Sequence, residues 1–211
     1  MSAVEVRTRR RVWVVATLVL GAATLAFTLN LQPGDDLFLV AGYAMAAVWA
    51  GGAALAGPIP RSRGPVARAA LVGAAIGAFL LGACLVVAVL IAGVPVLAEP
   101  AEELLDHARG GVLLPVLLMT AVNGIGEELF FRGALFDAVP RRAAVVVTTV
   151  VYTLTTIGSG VALLVVAAAM LGAVTALLRQ RTGGLAAPIA THLVWSLGML
   201  LLLPHALAIG R

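Results

Sequence analysis

Glu127 and Glu128 stand side by side, and Arg132 follows four residues after Glu128, in the stretch TAVNGIGEELFFRGALF. Apart from those charges, the stretch has the composition of a membrane helix. A charged side chain near the bilayer centre costs about 2.5–3.5 kcal/mol on insertion scales. Three of them within six residues need a reason beyond packing. An i,i+4 ion pair between Glu128 and Arg132 lowers the cost of two. It leaves Glu127 unexplained, and an intramembrane ionisable residue marks a functional site by default.

The elements that must carry these groups follow from composition. Of 211 residues, 62% are hydrophobic and 11% charged, with a mean hydropathy of +1.08, which places the chain outside the soluble globular class. The length suits one polytopic all-α domain, residues 1–211, of about seven transmembrane helices at roughly 20 residues each. Hydropathy marks Val12–Asn30, Leu37–Ala56, Ala69–Val94, Val112–Phe136, Ala143–Ile157, Val161–Leu178 and Leu185–Leu203. The first apolar run lacks a small-residue cleavage site and reads as a retained helix. The basic residues are all arginine and are scattered over loops, so the high isoelectric point is no nucleic-acid footprint. Cys84 stands alone, which excludes an intrachain disulfide and a cysteine-based metal site.

Loop charges give an orientation. Arg7, Arg9, Arg10 and Arg11 precede the first segment, and Arg61, Arg63 and Arg68 follow the second. Arg141 and Arg142 follow the fourth; Arg179 and Arg181 follow the sixth. The other side carries Asp35, Asp36, Glu99, Glu102, Glu103 and Asp106, with Arg109 its one basic loop residue. The positive-inside rule then predicts a multi-pass protein of the cell membrane with a cytoplasmic N-terminus and an external C-terminus. The segment AEPAEELLDHARG, with Leu104 and Leu105 among acids, reads as a short outer surface helix or a solvated connector.

Depth links the polar positions. Glu127 lies ten residues before Asp137, or ~15 Å from the cytoplasmic end of its helix at 1.5 Å per residue. His192 lies eight residues after Gly184, or ~12 Å from the same surface. An acid and an imidazole on different helices thus reach one level. Ser196 is one turn further along the face of His192, with Trp195 beside it, whereas His107 and His205 fall near the outer surface. In the fifth segment, TTVVYTLTT, most threonines are expected to bond their own i−4 carbonyls. Tyr152 and Thr156 share one face there and can line the same cavity.

These residues resemble a known family. EELFFR fits the E-E-x-x-x-R motif of the CAAX prenyl endopeptidase and bacteriocin-processing (Abi) family of intramembrane proteases. RTGGLAAPIATHLVWS is similar to that family's last motif, a His on a helix opened by an R-T-G-x-L-like turn. The resemblance covers roughly residues 110–203 as a catalytic core; the first three helices match only as generic spans. It implies Glu127 as the base that activates water, Glu128 and Arg132 as its support, and His192 with Ser196 on the oxyanion. In the family the last of these is commonly Asn; serine still donates one hydrogen bond. The departure is the middle motif F-x-x-x-H, where Tyr152 takes the aromatic position and Thr156 stands in place of the His.

The expected activity is endopeptidase hydrolysis of a membrane-associated or lipid-anchored peptide in a water-filled cavity open to the cytoplasm, with membrane lipids as the surroundings. No cofactor is expected, a divalent metal such as zinc being an open but disfavoured alternative: zinc usually takes three protein ligands plus a water, and Glu127, Glu128 and His192 are the whole supply. Two rivals remain. One is a catalytically inactive relative that binds or chaperones membrane peptides, favoured by Thr156 and Ser196. The other is a small transporter with a Glu–Arg–His pathway, disfavoured by the lack of internal repeats.

Overall fold

The computed structural model describes residues 3–32, 35, 37–109 and 113–211, with the side chains of residues 3, 4, 6, 7, 101, 103, 104 and 106–109 left outside that description. Asp36 and the side chains of Arg7, Glu103, Leu104, Asp106, His107 and Arg109, counted above in the loop assignments, therefore lie outside the described residues.

The protein is an all-α polytopic membrane protein. Its helices are α1 (Ala3–Leu29), α2 (Leu37–Ala56), α3 (Val66–Ile91), α4 (Pro95–Arg109), α5 (Leu113–Glu127), α6 (Phe136–Ala138), α7 (Ala144–Thr156), α8 (Ala162–Thr182) and α9 (Ala186–Ile209). A π-helical segment, Glu128–Leu135, joins α5 to α6, and a 3-10 turn, Ile157–Ser159, closes α7. Six described helices are long and apolar enough to cross a membrane; α7 with its closing turn is the shorter seventh. Each expected segment overlaps a helix, but α1 starts at Ala3 rather than Val12, so Arg9, Arg10 and Arg11 are helical, and α8 runs past Leu178 to Thr182. The last runs past Leu203 to Ile209, through Pro204, as membrane helices tolerate proline when neighbouring groups satisfy the freed backbone.

α4 is helical rather than a plain connector. Its buried Ala98 and Leu105 pack against Ala88, Ala92, Ala206 and Leu207 at the ends of α3 and α9.

Two helix pairs fix the frame. α3 lies close against α9, because Gly73 and Gly77 face the backbone of Ala187 and Thr191. A Cβ at Gly77 would stand 2.6 Å from the Thr191 carbonyl oxygen. Thr191 Oγ1 also donates to the Gly73 carbonyl at 2.8 Å. Such small-residue contacts supply association where lipid removes the hydrophobic drive. α1 meets α2 through side chains seated in glycine notches instead, the Trp49 ring over Gly21 and Thr17 over Gly52.

Contacts also sort the ends of the helices. Arg10 near the start of α1 donates to the Ala56 carbonyl at 3.1 Å and to the Asp137 carbonyl at 3.4 Å. Arg63 N–H donates to the Thr182 carbonyl at 2.9 Å, adding the start of α3 and the end of α8 to that end of the bundle. At the opposite end, Asn30 donates to the Gly158 carbonyl at 3.0 Å, and Arg211 pairs with Glu102 at 2.5 Å.

Candidate functional site

The site is built where α5 changes pitch. α-Helical turns end at Glu127, and the wider π turns begin at Glu128. Such segments occur often at functional sites. Within this one, Phe130 and Phe131 are fully buried on Trp49 of α2, with ring centroids 5.0 Å from the indole in both cases. Phe131 continues edge-on to Tyr152 of α7 at 4.8 Å. An aromatic chain thus sets the π segment between α2 and α7. Glu128 and Arg132 are turned fully inward.

Inside, the charges are paired. Arg132 Nη1 donates to Glu128 Oε1 at 3.1 Å, and both side chains are 0% exposed. Arg132 Nη2 donates to the Gly172 carbonyl of α8 at 3.0 Å. The same Glu128 oxygen lies 2.9 Å from His192 Nδ1. Breaking a buried pair from one side costs far more than the pair contributes, so the three residues form one unit.

Glu127 is held differently. Its Oε2 accepts from the Tyr152 hydroxyl at 2.7 Å and lies 3.9 Å from His192 Nε2, beyond hydrogen-bond range. Its side chain keeps 14% of its exposure where Glu128 keeps none. With Nδ1–H donated to Glu128, the neutral His192 ring presents Nε2 as an acceptor on the Glu127 side; the doubly protonated ring would present a donor there. The depth match between Glu127 and His192 is met at atomic scale. Gly124, one turn before Glu128, makes room for it: a Cβ there would stand 3.3 Å from His192 Cδ2.

The other expected residues sit as follows. Tyr152 is bound to Glu127 directly rather than merely lining a cavity beside it. Thr156 is buried and donates to its own helix at the Thr153 carbonyl, 2.8 Å away, so its hydroxyl is spent. Ser196 Oγ is buried and has no hydrogen-bond partner among the described residues, which leaves it an idle donor one turn from His192. Trp195 points away, its Nε1 3.5 Å from Cys84 Sγ of α3.

Two supports were not legible as such. Arg179, counted as a loop charge, is buried at the end of α8 and donates to the Arg132 carbonyl at 2.8 Å, the Asp137 carboxylate at 2.8 Å and the Gly183 carbonyl at 2.5 Å. It ties the end of the π segment to the turn that opens α9. Gly183, at φ +77, supplies that turn, a conformation that suits glycine. Asn123, one helical turn before Glu127, donates to the Gly42 carbonyl at 2.9 Å and anchors α5 to α2.

As a metal site the donors fit poorly. The Glu128 oxygen nearest His192 is already shared with Arg132, and position 156 brings no imidazole. Among the described residues, no group of three or more His, Cys, Asp or Glu is arranged to hold a metal ion.

Residues 109–198 match the family model described as type II CAAX prenyl endopeptidase Rce1-like. This is the family to which the E-E-x-x-x-R and His motifs pointed, and the matched stretch contains every residue of the site. No curated protein matches the chain. No solved structure matches it either.

Proposed function

We propose that this protein is an intramembrane endopeptidase that hydrolyses a peptide bond of a membrane-associated or lipid-anchored substrate, with Glu127 activating water. One observation carries the choice of base: of two adjacent glutamates, Glu128 is sealed and its Oε1 doubly engaged, while Glu127 is partly exposed. Glu127 takes a proton from water as the oxygen attacks the carbonyl carbon. The resulting oxyanion faces His192 and Ser196. As the C–N bond breaks, the proton passes from Glu127 to the leaving amine, returning the carboxylate. Glu128 and Arg132 keep His192 in place. On this scheme hydrolysis needs no resident cofactor. In this scheme the substrate reaches Glu127 from the cytoplasmic side of a cell membrane crossed with the N-terminus inside.

The test is proteolysis in liposomes with a panel of membrane-anchored peptides. Wild type should cleave at least one and Glu127→Gln none; equal cleavage by both would remove Glu127 from the chemistry.

One observation favours a second scheme, a non-catalytic binder of membrane peptides. Thr156, where the family motif has its His, is bonded back into its own helix. In that case the panel peptides bind saturably to wild type and to Glu127→Gln alike, and neither is cut.

A further inference from the structure

The chain lacks an imidazole at position 156, yet Glu127 is not left to solvent alone. Tyr152, one turn earlier on α7, reaches it with an O···O distance of 2.7 Å. That is the length of an O–H donated to a carboxylate at the upper edge of the charge-assisted range. The phenol is fixed on three sides. Phe131 packs edge-on at 4.8 Å, and the Arg132 guanidinium lies 4.6 Å from the ring centroid. On the third side is α8 at Gly172, where a Cβ would come within 3.1 Å of Tyr152 Cδ1. The ring is 6% exposed, so the hydroxyl occupies one place. It engages Oε2 of Glu127, and among the described residues no hydrogen bond engages Oε1. A carboxylate pinned by one oxygen presents the other in a fixed direction, which is what a base acting on a single water molecule requires.

We infer that Tyr152 is the positioning residue of this site, its phenolic hydroxyl holding the Glu127 carboxylate in the orientation from which it acts on water, a task Thr156 cannot perform with its hydroxyl turned to the Thr153 carbonyl. The inference rests on the hydrolase scheme above and adds a residue that acts through Glu127. Phenylalanine at 152 would keep the packing against Phe131, Arg132 and Gly172 and lose only the donor.

The experiment has two arms, so that failure of the inference and failure of the hydrolase scheme are distinguishable. The chain contains two tyrosines, and Tyr43 donates to the Pro115 carbonyl away from the site. In a Tyr43→Phe protein the infrared C–O band of the phenol therefore reports Tyr152 alone. Glu127→Gln should shift that band, because a donor to a carboxylate becomes a donor to a neutral amide. In the second arm, Tyr152→Phe should lower kcat for a membrane-anchored peptide roughly 10–100-fold with KM little changed, the worth of a hydrogen bond to an ionised group. The pH profile of kcat should move with it, which a loss of packing alone would not cause. An unmoved band, or an unchanged kcat in Tyr152→Phe, overturns the inference. A wild type that cuts no peptide overturns the hydrolase scheme instead, and the band still decides whether Tyr152 orients Glu127.

Discussion

The two neighbouring glutamates differ in what their loss should do. Arg132→Ala leaves Glu128 buried with His192 as its remaining partner among the described residues, and breaking a buried pair on one side costs about 3–5 kcal/mol. Thermal unfolding in detergent should therefore show a marked loss of stability. Glu127→Gln keeps an acceptor for Tyr152 and should unfold near wild type while any hydrolysis disappears. The opposite pattern would exchange the roles assigned to the two acids. Position 156 gives a second test. Thr156→His places an imidazole one turn from Tyr152, and as a proton-transfer group it should raise proteolysis by ~10² or more. An unchanged rate in a folded variant would argue that the site serves binding.

These charged residues were legible because charges in an apolar stretch cannot be accidental, and helix rise alone put His192 at the level of Glu127. The contact between Tyr152 and Glu127 was not legible. It depends on Phe131 turning toward α7 within the π segment, and no spacing rule for α-helices anticipates that change of pitch. Arg179 was missed for a related reason. An arginine at a helix end looks like a topology signal, and only its three acceptors show that it clamps the site.

At the scale of elements, the generic first helices turn out to position the chemistry. α3 carries no site residue, yet it holds α9, and thereby His192, through Gly73 and Gly77. A side chain at Gly77 must push α9 away from α3, since it meets the backbone of Thr191, which cannot rotate aside. Gly77→Val should thus destabilise the protein by about 1–3 kcal/mol, as overpacking does, and should depress hydrolysis further by moving His192. Gly82, on the same helix with open space around it, is the control. Gly82→Ala should leave stability unchanged or raise it by about 0.5–1 kcal/mol, because glycine is a poor interior helix residue. Equal losses in both variants would mean that α3 merely dislikes substitution. The chain has 23 glycines, and which of them face backbone and which face open space is set by the packed helices.

For the whole molecule, the question is whether α7 crosses the membrane. Its 13 residues rise only ~20 Å at 1.5 Å each, less than the ~30 Å hydrocarbon core. If it does not cross, six spans put both termini on one side. The contacts argue for crossing. α7 follows Asp137, whose carbonyl is bound by Arg10, so it starts at the end of the bundle where α1 starts. It finishes in the turn whose Gly158 carbonyl is bound by Asn30, at the far end of α1. α7 with its 3-10 turn, roughly 25 Å in rise, therefore runs between the levels of Arg10 and Asn30, about 30 Å apart along α1, a helix long enough to span. Seven crossings place Arg211, paired with Glu102, on the side opposite the arginine-rich end. With that end inside, a periplasmic-type reporter fused after Arg211 should be active and a cytoplasmic-type reporter silent. The same pair fused after Arg142 should give the reverse. A cytoplasmic signal at Arg211 together with one at Arg142 would mean that α7 turns back within the membrane. The shared depth of Glu127 and Tyr152 would then need a re-entrant helix to explain it.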